Sequence, residues 1–341
     1  MRLMITGAAG FIGSRVVRHA LASGHDVVAV VRDASQLPFS ARQPSLVVRE
    51  VDLAGSEASR ALRSDLLSID AIVHTAAPMT GSGQGMIEAG LAPLRAIFEA
   101  MASHDEHRPA LIHLSSVAVY GVAALPPGAM IDESTPLEPT PVQRDAYCRS
   151  KLAQEQLARA LANEIGGPLV LARPGAVYDE NRRYNAHLGH RFGGTLLLLS
   201  RSGDVPILHV NTCAEHLIAL AQLAASPAGR GDVSLRAVNL LDADLPSRGD
   251  YAKWLVAAGV CPRLVDLSWV PLARIGNALA GLGLASLLPG LLRPATYAFR
   301  LRDVHYSNDR LRALLGKLPC RTYQDAVDMF KGDIDEGGVN A

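Results

Sequence analysis

Cysteine is scarce in this chain. Four residues, at positions 148, 213, 261 and 320, form no C-x-x-C pair and have no metal-ligand spacing. That excludes a disulfide frame and a structural zinc site, so a cytoplasmic location and no bound metal are expected. Net charge is lacking too. The 33 Lys and Arg balance the 33 Asp and Glu, and no basic run occurs, which leaves nothing to attract nucleic acid. The first residues enter a strand-like run directly, so no signal peptide is expected. Internal repeats and low-complexity tracts are absent. One stretch is empty of charge: Ile275 to Leu292, 18 positions long, a length at the threshold for spanning a bilayer. Gly276, Gly281, Gly283, Pro289 and Gly290 interrupt it. A broken apolar hairpin roofing a substrate cleft is therefore expected, and no membrane span.

What is present begins at the first residues. Arg2 to Thr6 is a short apolar run, followed by Gly7-Ala8-Ala9-Gly10-Phe11-Ile12-Gly13 and a helical alternation to Ser23. Gly24 and His25 end that helix, and Asp26 to Val31 reads as a second buried strand. Strand, glycine turn, helix and strand in this order describe a dinucleotide site. The glycines let the backbone turn tightly and approach a pyrophosphate, whose charge meets the positive end of the helix. The residue at the end of the second strand sets the ribose preference. An acid there would accept from both ribose hydroxyls, but Val31 is neutral and Arg32 follows it. Arg32 can pair with a 2′-phosphate through its fork of donors. NADP(H) is therefore expected in preference to NAD(H), which stays possible because Asp33 comes next.

Strand-like runs recur between helical patterns: Leu46 to Val51, Ala71 to His74, Ala110 to Ser115, Leu169 to Ala172 and Leu235 to Leu240. This alternation predicts an α/β fold, a Rossmann-type doubly wound parallel sheet with a smaller C-terminal substrate-binding lobe. Residues 1–173 and 204–241 are assigned to the dinucleotide-binding domain and 174–203 and 242–330 to the lobe. Residues 331–341 are read as a frayed tail. Leu196 to Leu199, Trp269, Val270, Leu272 and the run from Leu279 to Leu292 are expected to give the cleft apolar walls.

Tyr147 and Lys151 lie four residues apart in a helical stretch from Ala146 to Glu164, which stacks them on one face. A nearby ammonium favours the phenolate, so Lys151 is expected to lower the pKa of Tyr147. Upstream, a strand ends in Ser115-Ser116-Val117-Ala118-Val119-Tyr120-Gly121, where a serine can reach the pocket and hydrogen-bond a substrate oxygen. His74, at a strand end without ligand-spaced partners, reads as structural. Cys148 reads as a packing residue, and His187, His190 and Arg191 as solvated loop residues.

Together these motifs resemble the extended short-chain dehydrogenase/reductases. The resemblance runs through T-G-x-x-G-x-x-G at 6–13, Asp52-Leu53, His74-Thr75-Ala76-Ala77, S-S-V-A-V-Y-G at 115–121, Y-x-x-x-K at 147–151, Arg173-Pro174-Gly175 and His209-Val210. The branch with dihydroflavonol reductases and 3β-hydroxysteroid dehydrogenases is the most similar in motifs. It implies Tyr147 as general acid/base, Lys151 on the nicotinamide ribose and Ser116 on the reacting oxygen. The implied cofactor residues are Gly7, Ala9, Gly10, Phe11, Ile12, Gly13, Arg32, Asp52, Leu53, Thr75, Ala76, Ala77, Lys151 and Pro174. Met79, Val117, Ala118 and Tyr178 are candidate substrate contacts.

Two departures from that pattern matter. Many relatives carry an asparagine in an N-V-x-G-T-like segment, where this chain has Gly90-Leu91-Ala92-Pro93-Leu94. Nucleotide-sugar enzymes often have an Arg-Asp clamp before the H-V pair, where this chain has Val205-Pro206-Ile207-Leu208. Arg300 or Arg302 could replace the clamp in part, though both read more simply as surface residues. The resemblance implies an NADP-dependent carbonyl/alcohol oxidoreductase acting on a small, apolar substrate. The alternative it leaves is a nucleotide-sugar epimerase or dehydratase with tightly bound NAD. A non-catalytic binding protein on the same fold is disfavoured by the intact Ser116, Tyr147 and Lys151. A homodimer through the helices around Ala89 to Met101 and Ala146 to Glu164 would suit the fold.

Overall fold

A computed structural model describes residues 1–39, 43–77, 83–104, 107–229, 237–282, 284, 288 and 293–316. In chain order the first half contains β1 (Arg2–Thr6), α1 (Phe11–Ala22), β2 (Asp26–Val31), β3 (Leu46–Glu50), α2 (Ala58–Leu66), β4 (Ala71–His74), α3 (Gly83–Ala102), β5 (Ala110–Leu114), β6 (Ala129–Ile131), α4 (Ala146–Ile165) and β7 (Leu169–Pro174). The second half contains β8 (Ala176–Tyr178), β9 (Gly189–Phe192), β10 (Thr195–Leu198), β11 (Ile207–His209), α5 (Val210–Ala225), β12 (Ala237–Leu240), α6 (Arg248–Ala257), β13 (Arg263–Asp266), α7 (Val270–Gly281), α8 (Pro294–Leu301), β14 (Val304–Tyr306) and α9 (Asp309–Leu315).

Seven strands form one parallel sheet in the order β12-β7-β5-β4-β1-β2-β3. The strands are apolar throughout because both faces are covered, as in any doubly wound sheet. Side chains alternate between the layers: Leu3 and Ile5 of β1 pack with Val16 and Val17 of α1 and Leu217 and Leu220 of α5. Met4 points the other way, toward Leu62 of α2 and Leu94 and Ile97 of α3. The chain winds outward from β1 to β3, then returns to start again at β4 beside β1. That reversal opens a crevice at the carboxyl ends of β1 and β4, where such sheets bind ligands.

The smaller lobe is built on the three-stranded sheet β13-β10-β9. Its core joins Leu196, Leu198, Val205, Ile207, Tyr251 and Leu255. Leu196 and Leu198 are thus spent on holding the lobe together and are not cleft walls. Val270 and Leu272 of α7 are exposed, as are Ile275 and Leu282. The described part of the uncharged stretch begins within one continuous helix, α7, which runs through Gly276 and ends at Gly281, where a broken hairpin was expected. Among the described residues, no helix is long and apolar enough to cross a membrane.

The chain does not stay in the lobe to residue 330. β14 pairs with β6, and α9 then packs Leu311, Leu314 and Leu315 onto the main-sheet core. Those leucines recur at i, i+3 and i+4, one helix face, and the sheet layer offers the apolar surface that face needs. Met79, Cys320 and the 331–341 tail lie outside the described residues.

Candidate active site

The glycine turn is a close-packed cradle. Gly7 has φ +70°, and its carbonyl accepts from the Gly10 amide at 2.8 Å. A Cβ on Gly7 would lie 2.8 Å from the Ala76 nitrogen, and one on Gly13 would run into the Gly7 carbonyl. Only glycine fits at either point, and the start of α1 is left open toward the crevice. Thr75 locks the floor, its hydroxyl donating to the Thr6 carbonyl at 2.7 Å.

A cleft of about 400 Å³ runs from this turn along the ends of β2 and β3. Gly7, Ala9, Gly10, Arg32, Asp52, Leu53, Thr75, Ala76 and Ala77 all line it. A concave surface of that size, built on a glycine cradle at a helix N-terminus, fits the diphosphate and adenosine of a dinucleotide. Gln36, Ala89 and Pro93 line it too and were not legible in the sequence. Ala89 and Pro93 are one turn apart on α3, and that i, i+4 spacing is the signal that could have found them.

The remaining cofactor candidates sit elsewhere. Phe11 opens α1 beneath Arg182, whose guanidinium stacks 4.2 Å from the ring centroid. Ile12 packs on the sheet core, Gly13 is buried against Gly7, and Pro174 ends β7 as a buried residue.

At the end of β2 the two charged residues behave differently. Asp33 caps the following turn, accepting from the Ser35 amide at 2.9 Å and hydroxyl at 2.6 Å and from Gln36 at 3.2 Å. The Ser35 hydroxyl and amide hold its pKa below the ordinary carboxylate value. Both residues line the cleft, Arg32 exposed.

Tyr147 and Lys151 occupy the first turns of α4, which starts cleanly because Asp145 caps the Cys148 amide at 2.8 Å. Ser116 follows β5 in extended conformation and accepts from the Ala118 amide at 3.1 Å. Ser116 lies near enough to Tyr147 to act on its phenol, so the serine and the phenol do come together. The expected lowering of Tyr147 by Lys151 is not found. Burial raises the phenol, Ser116 opposes that, and Asp145 and Cys148 add to the rise.

The reason is where the lysine points. Lys151 is 3% exposed, and a buried ammonium must find acceptors. Its Nζ donates to the Leu114 carbonyl at 2.6 Å and to Gln154 Oε1 at 3.3 Å. Burial lowers its pKa to about 8 against the pull of Glu155.

Beneath the site lies a polar network that the sequence did not reveal. Arg173 grips Glu155 with two bonds, at 2.8 and 2.7 Å, and Ser115 donates to the same carboxylate at 2.6 Å. Arg173 also donates to the Tyr120 hydroxyl at 3.0 Å, which donates to Asn239 at 2.6 Å. The signals were Glu155 one turn beyond Lys151 and Arg173 before Pro174. On the far side His74 and His113 stack at 5.4 Å. Burial, with Lys151 adding to it, drives His74 down to about 3 and His113 well below its ordinary value.

The substrate candidates are mostly packed away. Val117 and Ala118 are buried in the cluster against which Tyr147 rests. Tyr178 is 3% exposed and its hydroxyl donates to Asp242 at 3.0 Å, so the lobe core claims it. His187, read as solvated, is buried, and burial beside Arg248 and Arg300 lowers its pKa. His190 lies in β9 and meets the Tyr297 hydroxyl at 3.1 Å. Arg300 is not a surface residue: its side chain is 20% exposed and stands 3.6 Å from Asp145. α8 turns that side chain inward because its other faces carry Tyr297, Phe299 and Leu301 into the core. Arg302 does reach the surface, donating to the Ala123 carbonyl at 2.6 Å. Cys148 is buried, as its packing role requires, and burial pushes its thiol up to about 12.

The family model for the NAD-dependent epimerase/dehydratases matches residues 3–212, more than half of the chain. The protein belongs to that family. Within it, the chain is 29% identical to cinnamoyl-CoA reductase 1 of Arabidopsis thaliana over 178 residues, covering 50% of this chain and 51% of that protein. It is 31% identical to dTDP-glucose 4,6-dehydratase of Mycolicibacterium smegmatis over 173 residues, covering 49% and 50%. The chain thus spans about half the length of the curated relatives it matches. Among solved structures, the UDP-glucuronic acid 4-epimerase of Bacillus cereus superposes with a TM-score of 0.69 at 19% identity, over 98% of this chain and 99% of that one. That likeness concerns the fold. The family is NAD(P)-dependent and of the extended short-chain dehydrogenase/reductase type, and its members in these comparisons include both reductases and dehydratases.

Proposed function

We propose that the protein is an NADP-dependent oxidoreductase interconverting a carbonyl and an alcohol on a small substrate, with Ser116, Tyr147 and Lys151 at the reacting centre. The observation that carries the reading is the pairing of Ser116, just after β5, with Tyr147 at the head of α4, in a fold whose glycine turn opens on a cleft that fits a dinucleotide. A nicotinamide dinucleotide bound in that cleft supplies or accepts a hydride. Ser116 steadies the substrate oxygen, and the Tyr147 hydroxyl delivers a proton to it or removes one from it. Lys151 would supply a positive charge for the cofactor's ribose. Three free thiols, Cys148, Cys213 and Cys261, are buried, which suits work in a reducing cytoplasm.

A nucleotide-sugar epimerase or dehydratase is the second reading, and Arg300 favours it. Its side chain is largely buried, and among the described residues its guanidinium has a loose ion pair with Asp145 at 3.6 Å. Against it, Val205, Ile207 and Leu208 are fully buried and uncharged where a clamp would lie. Arg144 and Arg248 are committed to main-chain carbonyls: Arg144 to Tyr120 and Ala118, Arg248 to His187, Ser202 and Arg300. A diphosphate needs more than Arg300 alone.

NADP preference rests on the division of labour at the end of β2. The Asp33 carboxylate is taken by Ser35 and Gln36. Arg32 and Asp33 both line the cleft, but Arg32 has no hydrogen-bond or ion-pair partner among the described residues. The test is the ratio of kcat/KM with NADPH to that with NADH. It is expected to exceed one in the parent and to fall by about 10-fold or more in Arg32→Ala, the loss of a charge-assisted pair. A parent that prefers NADH, or an unchanged ratio in the variant, sinks the assignment.

Arg182 gives a complementary expectation. It stands over Phe11 beside the glycine turn, far from Arg32 in sequence. Arg182→Ala should weaken NADPH and NADH binding alike, by roughly 3- to 10-fold at low salt, and by less as salt screens the charge. Fluorescence titration at two ionic strengths measures this. Equal affinities for parent and variant at low salt would remove Arg182 from the site.

A further inference from the structure

Lys151 is a fully buried ammonium, and its surroundings explain how it stays one. Besides the Leu114 carbonyl, the acceptor it meets is the side-chain amide of Gln154, one turn ahead on α4. That amide is itself fixed. Its Nε2 donates to Ser150 Oγ at 2.9 Å, and Ser150 Oγ donates to the Met86 carbonyl of α3 at 3.2 Å. Because the serine proton is committed to Met86, the serine oxygen must accept from the glutamine nitrogen. The glutamine oxygen is thereby left facing Lys151. Gln154 and Ser150 are each 1% exposed, so water cannot replace either.

The space for this amide comes from α3. A Cβ on Gly90 would collide with Gln154 Nε2 and lie 2.9 Å from Ser150 Oγ. Gly90 and Gln154 therefore compete for one volume between the two helices, and the glycine cedes it. We infer that Gln154 is a positioning residue for Lys151: through the Met86–Ser150–Gln154 chain it holds the ammonium protonated and aimed at the cofactor's ribose, in room that Gly90 leaves open. This rests on the reading of Lys151 as a cofactor-binding residue.

The groups facing Lys151 allow a clean titration. From α4 comes Glu155, tied to Arg173 of β7. From β4 and β5 come His74 and His113, both held far below neutrality. Lys151, at about 8, is the one of these groups that changes charge between pH 7 and 9. NADPH affinity should accordingly fall as pH rises through that range. Gln154→Ala removes an acceptor from the charged form, so Lys151 loses its proton sooner and the fall in affinity moves to lower pH, by about one unit. Gln154→Glu, close in shape, adds a negative charge and moves the fall to higher pH.

Opposite shifts from two substitutions of one buried residue are not produced by loss of packing, which would weaken both variants and leave the pH of the fall unchanged. Gly90→Asn alone should weaken binding by collision. In the Gln154→Ala background it should restore the parent profile, since an amide can then enter the same space from α3. The experiment is fluorescence titration of parent and variants with NADPH, and in parallel NADH, from pH 6.5 to 9.5, with circular dichroism to verify folding. A parent that binds neither dinucleotide, or binds without an alkaline fall, overturns the reading of Lys151 and this inference with it. A parent with the fall, and Gln154 variants that share its pH, overturns the inference alone.

Discussion

Tyr147→Phe is expected to cut turnover by about 10²–10⁴-fold, the usual worth of a positioned general acid, while leaving dinucleotide affinity nearly unchanged. The split follows from geometry. The phenol faces Ser116, whereas the dinucleotide cleft is lined by the glycine turn, the ends of β2 and β3, and α3. Phenylalanine keeps the ring that packs against Val117 and Tyr120, so the fold should not notice the change. Burial raises the phenol above its ordinary value, so it stays a proton donor through the neutral range. The measurement is NADPH oxidation with the best carbonyl substrate from a screen, beside NADPH titration of the same samples. A variant that retains close to the parent rate removes Tyr147 from the chemistry.

How much of this was readable in advance depended on how local the cause was. The glycine turn, the end of β2 and the start of α4 are set by neighbours in sequence, and the first two meet one cleft in space. The doubly wound order followed from the alternation of apolar runs with helical ones, since both faces of each strand must be covered. What was not legible depends on partners distant in the chain. Arg300 reads as a surface residue until Asp145, at the cap of α4, is brought to it. Leu196 and Leu198 look like cleft walls because an apolar strand side chain does not declare which layer will cover it. β6 and β14 are too short to show a period, and their pairing is purely tertiary. The lysine was misjudged for the same reason. Four residues from Tyr147 suggested that it would act on the phenol, but its burial and the Leu114 carbonyl decide its direction.

The second large effect is expected from a residue that touches neither substrate nor cofactor. Glu155→Ala should destabilise the protein by about 3–5 kcal/mol, the cost of leaving one member of a buried ion pair alone. Glu155 and Arg173 have side chains only 1% and 3% exposed, and their two short bonds form a bidentate pair that salt cannot screen. Removing the carboxylate also strands the Ser115 hydroxyl, which donates to it. Arg159 loses an ion partner as well, but that contact is 3.6 Å long and partly exposed, so it contributes little. The damage should reach the site by two routes. Ser115 precedes Ser116, and Glu155 is the charge that opposes the fall of the Lys151 pKa; without it the ammonium is lost at lower pH. Glu155→Leu combined with Arg173→Met should recover much of the stability, because replacing a buried pair by apolar side chains of similar volume is often neutral. It should not recover the charge on Lys151. Urea unfolding of the single and double variants checks the first half, and the pH dependence of NADPH binding by the refolded double variant checks the second. A Glu155→Ala protein within about 1 kcal/mol of the parent, the worth of an exposed pair, would show that Arg173 finds other partners and that the network does not hold the site in place.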